Sequence, residues 1–196
     1  MEQLLQYIRK FGSLDGREES LIRGAFKKKT ISKSAYFVTN GKVTNSIAFV
    51  EDGVFRSLYY NHKGDDFTRY FIYEGRFIGD LQSFLDRTPS SDYIEALTDA
   101  TIWDLDIQEF RLLEKEIKIW PVLISKLYAF VIESKLKTAN TMMNLDAKER
   151  YLLFLKLYPG LANRVPLAML ASYLGITASS LSRIRRNTGA GFSFPR

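Results

Sequence analysis

The chain of 196 residues contains no cysteine and one histidine. The first absence excludes disulfides, cysteine-ligated zinc and cysteine-held iron–sulfur clusters. The second excludes a multi-histidine metal site, and His62 sits in YYNHKGDD, which reads as a hairpin turn. No apolar run approaches the ~20 residues a membrane span needs, and no signal peptide opens the chain. No membrane partner and a cytoplasmic location are therefore expected. No nucleophile–base pair, metal cluster or nucleotide loop has catalytic spacing, so neither enzyme activity nor a cofactor is expected. The neighbouring acids Asp65 and Asp66 fall in the same turn and read as solvated.

Disorder is also excluded, because hydrophobic residues make up 46% of the chain and aromatics 14%. The length suits one large domain or two modest ones. Charge divides the chain unevenly. Residues 1–144 hold 20 basic and 20 acidic side chains, whereas residues 145–196 hold 8 and 2, so the tail part carries the whole net charge of +6. A neutral part joined to a basic part fits a sensor or scaffold joined to a polyanion-binding module; a solvated basic surface is the plainer alternative.

Residues 2–10 and 17–27 have the pattern of short amphipathic helices. From 30 to 107, runs rich in Val, Ile, Phe, Tyr and Thr alternate with turn signals, which predicts a sandwich or barrel. Residues 47–50, 54–61, 67–72, 94–97 and 101–106 are the clearest strands. Asp106 and Glu109 then have the spacing of a capping box. Pro121 suits the first turn of a long helix running to Met143. Along it, Ile124, Leu127, Val131, Ser134, Thr138 and Met142 recur at three and four, and Leu123, Phe130 and Leu136 form a second apolar set. Two faces call for two partners, the chain's own barrel and a copy of itself across a two-fold axis. The set Ile124, Leu127, Val131, Ser134 and Thr138 is assigned to the copy; packing wholly within the chain is the alternative. Asp146 and Glu149 offer another capping box, and Pro159-Gly160 ends the helix that follows.

Residues 166–186, PLAMLASYLGITASSLSRIRR, carry the most information. Leu167, Leu170, Ala171 and Leu174 recur at helical spacing. Gly175 stops that helix and Thr177 is a good N-cap for the next. The second helix has a thin stripe of Leu181 and Ile184 among small polar residues and arginines, the composition of a helix that enters a major groove. Ala171 is small enough for the two helices to cross closely. An ordinary helical hairpin with a basic face has the same spacing. The last ten residues, NTGAGFSFPR, are rich in Gly, Ser and Pro and are expected to fray.

The order barrel, long helix, hinge and helix-turn-helix resembles the Crp/Fnr transcription regulators, named for the cyclic-AMP receptor protein. Two stretches carry the resemblance: YEGRFIGDLQSF at 73–84, similar to the family's phosphate-binding cassette, and residues 146–186, similar to the subgroup common in Bacteroidetes-type bacteria. The resemblance implies an α+β chain. Its parts would be an N-terminal β-barrel or jelly roll over residues 1–120 that senses an effector, a long dimerisation helix and hinge over 121–144, and an all-α helix-turn-helix domain over 145–196. It places the effector pocket at Gly79, Asp80, Leu81, Arg87, Ser90 and Ser91. In the family, backbone N–H groups and an arginine hold a cyclic phosphate while an acid accepts from the ribose. Here Asp80 stands for the usual glutamate and Ser90 for the arginine, which disfavours cyclic AMP. The family's iron–sulfur and haem sensing lack their ligands in this chain. Base reading falls on Ala178, Ser179 and Arg183, and phosphate contacts on Thr177, Ser180, Arg185 and Arg186. The implied partners are double-stranded DNA, a second copy of the chain, a small-molecule effector and RNA polymerase. A scaffold or small-molecule-binding protein with a degenerate helix-turn-helix is the competing function, motivated by the serines at 179 and 180 and by the missing wing after residue 186.

Overall fold

A computed structural model describes residues 1–188. It is an α+β chain with a jelly roll of two four-stranded antiparallel sheets. One sheet has the order β1-β8-β3-β6, from strands Lys27–Ile31, Ala100–Asp106, Ser46–Asp52 and Phe77–Ile78. The other has the order β2-β7-β4-β5, from Tyr36–Val38, Tyr93–Ala96, Phe55–Tyr60 and Asp66–Ile72. The five expected strands are present. Strand β1 lies partly where the sequence reads as a helix end, because Lys27, Lys28 and Lys29 show no apolar alternation. Its pairing with β8, from Lys27 opposite Asp104 to Ile31 opposite Ala100, supplies the order instead.

Consecutive residues of a strand point to opposite faces, and here both faces are apolar. Ala48, Val50, Phe55, Ile72, Ile94, Ala96, Ala100 and Ile102 fill the space between the sheets. Ile47, Phe49 and Leu105 point out of the first sheet into a second core. That core is closed by helices α1 (Glu2–Arg9), α2 (Gly16–Ala25), α4 (Ile107–Glu116) and the start of α5 (Trp120–Met143). Phe71 of the edge strand β5, with Val54 before β4 and Leu97 after β7, belongs to a third core with the C-terminal helices.

Those helices are α6 (Ala147–Leu157), a 3-10 turn at Leu161–Asn163, α7 (Leu167–Leu174) and α8 (Ala178–Asn187). Asp146 and Glu149 form the complete capping box expected of them. Asp106 caps α4 by accepting from the N–H groups of Gln108 and Glu109, both at 2.9 Å. The expectation for residues 189–196 lies outside the described residues. Among the described residues no helix is long and apolar enough to cross a membrane.

Phe49 is 1% exposed and its ring meets Phe77 at 5.3 Å and Tyr7 at 5.7 Å. Truncating it to alanine removes buried apolar area and leaves a cavity. Phe49→Ala will therefore lower the unfolding free energy by about 3–5 kcal/mol, measured by urea denaturation. A loss below about 1 kcal/mol would mean the helices of this core collapse freely around the gap.

Candidate functional site: a cassette and a helical module on one barrel

The residues expected to form the pocket, from Gly79 to Ser91, follow a tight glycine turn and flank a short helix. Gly79 has φ of +139°, and a Cβ there would stand 2.9 Å from Cγ2 of Ile47. Only glycine turns the chain this close to β3. Asp80 then caps the short helix α3 (Leu81–Asp86): one carboxylate oxygen accepts from the Ser83 N–H at 3.1 Å. The other accepts from the Ser90 hydroxyl at 2.7 Å. Ser90 is 3% exposed, and its Oγ also accepts from the Asp92 N–H at 3.1 Å. Leu81 packs against the core of the N-terminal helices. Ser91 is exposed, and its carbonyl accepts from Asn40 at 2.8 Å.

Arg87 does not substitute for the missing arginine. Its backbone is left-handed, with φ of +58°. Its guanidinium donates to the Thr44 carbonyl at 2.8 Å and to Asn45 Oδ1 at 2.6 Å, bonds that hold the loop before β3. This corrects the expected pocket role, because the fork's donors are spent on the scaffold.

Three residues that the sequence did not single out complete the region. Asp92 pairs with Arg69 at 2.5 Å. Burial raises the Asp92 carboxyl above its usual range, with Arg69 opposing and the charge of Asp80 adding to the rise. Lys135 of α5 places its ammonium 3.6 Å from the centre of the Tyr70 ring. Asp92 stands two residues after Ser90, just before β7. Nothing local marks Lys135. The Asp80 carboxylate, bonded to Ser90, and the nearby Asp92 carboxyl make this end of the barrel poorly suited to a cyclic phosphate.

The long helix requires a correction. Ile124 packs against the core of the N-terminal helices, and Leu127 lies with it beside Phe11, Trp120 and Leu123. Val131, one turn further on, is half-buried between them and the Lys135–Tyr70 contact. The hydroxyls of Ser134 and Thr138 bond back to the carbonyls of Phe130 and Ser134. The first half of the stripe assigned to a second copy, Ile124 and Leu127, thus packs on the chain's own N-terminal core, because the helix starts inside that core at Trp120 and Leu123, while Ser134 is exposed. The exposed apolar stripe is Val122, Ser125, Ala129, Ile132, Leu136, Ala139 and Met143, spaced by three and four throughout. Leu136 is 58% exposed and Met143 78%.

In the C-terminal module, α7 ends at Gly175, whose φ is +68°. The Gly175 N–H donates to the Ser172 carbonyl at 3.1 Å and the Ile176 N–H to that of Ala171 at 3.0 Å, the Schellman pattern. Thr177 caps α8 by accepting from the Ser180 N–H at 3.1 Å. Leu181 is fully buried beneath α8, and Ala171, 1% exposed, lies in the same core. Ala178, Ser179, Ser182, Arg183 and Arg186 are exposed, and Ser180 is half-buried. Arg185 is turned inward: it donates to the Ala162 carbonyl at 3.0 Å and lies 5.8 Å from the Tyr151 ring. It braces α8 against its own module, which corrects its assignment to phosphate.

The module sits on the barrel. Phe71 of β5 meets Tyr173 at 5.4 Å and Phe154 at 6.1 Å. The Thr68 N–H donates to Ser172 Oγ at 3.0 Å. Arg164 grips Glu74 with two bonds, 2.8 and 2.6 Å, while Glu74 also accepts from the Gly53 N–H at 2.8 Å. Asp66, read as solvated, pairs with the buried Arg56, which also holds Glu95 at 2.9 Å.

This geometry is a jelly roll carrying a helical module at its C-terminal end. Residues 28–116 match the cyclic nucleotide-binding domain family. No curated protein matches the sequence. Among solved structures, FixK2 from Bradyrhizobium japonicum is 20% identical, with a TM-score of 0.68 over 87% of this chain and 90% of that one. The c-di-GMP-responsive global regulator CLP from Xanthomonas campestris is 14% identical, with a TM-score of 0.66 over 93% and 96%. The catabolite activator protein of Thermus thermophilus is 19% identical, with a TM-score of 0.57 over 94% and 90%. These likenesses extend the fold through the C-terminal helices.

Two outcomes test this description. Ser90→Ala leaves Asp80 short of a donor and will cost about 1–3 kcal/mol in chemical denaturation; a neutral change would show that the cassette does not depend on this bond. The second concerns acid. Burial pushes Glu74 upward, but the bonds from Arg164 and from backbone N–H groups outweigh it and hold the carboxyl at about 2, against an ordinary 4.5. A depressed folded value stabilises fully above the ordinary value and is lost as pH falls. The stability difference between the natural chain and Glu74→Gln will therefore be largest above pH 4.5 and vanish as pH falls toward 2. A difference that persists unchanged at pH 2 contradicts the ion pair.

Proposed function

We propose that this chain is a dimeric, sequence-specific DNA-binding transcription regulator. The observation that carries the reading is α8: a helix fixed from below by Leu181, capped by Thr177, and exposing Ala178, Ser179, Ser182, Arg183 and Arg186 together. Such a helix, presented after a tight turn, fits a major groove. Arg183 lies four residues after Ser179 and shares its side. It is the guanine reader, by bidentate bonds to O6 and N7. Arg186 stands at the helix end, nearer the phosphate backbone. The excess of positive charge in residues 145–196 supplies the non-specific attraction.

The second copy binds along the exposed stripe of α5. Val122, Ala129, Leu136 and Met143 fall at one heptad position, and Ser125, Ile132 and Ala139 at the other. This is the spacing of a two-stranded coiled coil with small residues in the seam. The role of the barrel is regulatory rather than catalytic, and its cassette does not receive cyclic AMP, since Ser90 and Asp80 satisfy each other.

The test is titration of variants against a selected duplex and a scrambled one at several salt concentrations. Arg183→Ala will cost about 1–3 kcal/mol on the selected duplex and relax preference at one base pair per half-site. Arg186→Ala will weaken both duplexes alike and reduce the salt slope by about one unit per lost phosphate contact. Equal losses for Arg183→Ala on both duplexes would make it a phosphate anchor. For the dimer, sedimentation of Leu136→Asp will give a monomer with native circular dichroism; a dimer in both Leu136→Asp and Ile132→Asp places the contact elsewhere. Calorimetric binding of cyclic AMP at low micromolar concentration would overturn the reading of the cassette.

A further inference from the structure

The contact between α7 and the barrel has more in it than a resting place. Strand β5 is an edge of its sheet. Edge strands present unpaired backbone groups that need a partner. The Thr68 N–H finds one in the Ser172 hydroxyl on α7. Beside that bond, Phe71 is 8% exposed under Phe154 and Tyr173, and Val54 and Leu97 share the core of Leu170, Leu174 and Leu181. At the far end Arg164 clamps Glu74. Hydrogen bond, apolar core and ion pair thus join the two modules along one line, and none of them uses the exposed side of α8.

We propose that this joint is a latch that holds α8 in its DNA-reading orientation with no ligand in the barrel. The proposal rests on the DNA-binding reading above. Two reading helices must meet half-sites at one separation, so any freedom in their mounting is lost on binding and weakens affinity. A module fixed to its barrel has lost that freedom in advance. A ligand shifts an equilibrium only by binding one arrangement better than another, and here the cassette's Asp80, Ser90 and Arg87 are already bonded within the protein. The docked arrangement leaves Ser179, Arg183 and Arg186 in solvent, so it presents the reading side instead of covering it.

The experiment uses the full chain and a duplex recovered by selection from a random-sequence pool. Two readouts are taken: hydrogen exchange of the Thr68 amide, which is independent of DNA, and affinity for the duplex. Arg164→Glu sets two like charges against each other. It will speed Thr68 exchange by about tenfold or more and weaken the duplex by about tenfold. Adding Glu74→Arg to the same chain restores the pair in reverse and will recover both. Faster exchange with unchanged or tighter duplex binding overturns the proposal, because the docked arrangement is then not the reading one. Unchanged exchange also overturns it, since the clamp then holds nothing. A loss of affinity that Glu74→Arg does not recover would make Arg164 a DNA contact and would equally overturn it. If the natural chain recovers no duplex, the DNA-binding reading has failed and the proposal with it, while Thr68 exchange still reports whether the modules are joined. Should the charge variants fold poorly, the absence of native cysteine allows a second route through Thr68→Cys with Ser172→Cys. The oxidised pair will keep its duplex affinity within about twofold of the reduced form, and a drop of about tenfold on oxidation overturns the proposal.

Discussion

The whole arrangement depends on strands that are apolar on both faces. In β3, Ala48 and Val50 point between the sheets while Ile47 and Phe49 point away. At the other sheet Phe55, Ile72 and Ala96 point inward while Val54, Phe71 and Leu97 point outward. A jelly roll alone covers only the inner set. The outer set must be covered by something else, at roughly 25 cal/mol for each Å² of apolar surface removed from water. The N-terminal helices cover one sheet and the C-terminal module covers the other. The position of α8 is therefore a consequence of how the barrel completes its own burial.

The cassette uses its carboxylate within the protein. Aspartate is among the best N-cap residues because its short side chain reaches the N–H groups of its own first turn. Asp80 does this with Ser83 and spends its second oxygen on Ser90. The turn at Gly79 has a steric reason, the nearness of Ile47. Backbone shape and ligand chemistry are separable here.

In the long helix the choice between two apolar stripes is made at one end. Trp120 and Leu123 are buried against the N-terminal helices, which fixes the rotation of every residue after them. Ile124, Leu127 and Val131 then turn to the chain's own barrel, and Val122, Ile132 and Leu136 turn to solvent. A helical wheel ranks the two stripes about equally, since both recur at three and four. The burial of Trp120 and Leu123 is what separates them.

Much was legible in the residues themselves. Alternation and turn signals located five of the eight strands among the described residues; Asp146 with Glu149, Thr177 and Gly175 marked helix ends through bonds that are local in the chain; and the charge excess pointed to the tail. These features depend on neighbours within a few positions, so sequence determines them. What only the tertiary structure decided involves partners far apart. Lys27–Lys29 becomes a strand because β8 pairs with it, Arg87 and Arg185 face inward because Thr44 and Ala162 offer carbonyls there, and Lys135 reaches Tyr70 because α5 crosses the barrel. The joint from Thr68 to Ser172 spans more than a hundred positions of chain. Local pattern cannot anticipate it, because the force behind it is the burial of an outer sheet face, which exists only once the sheet has formed.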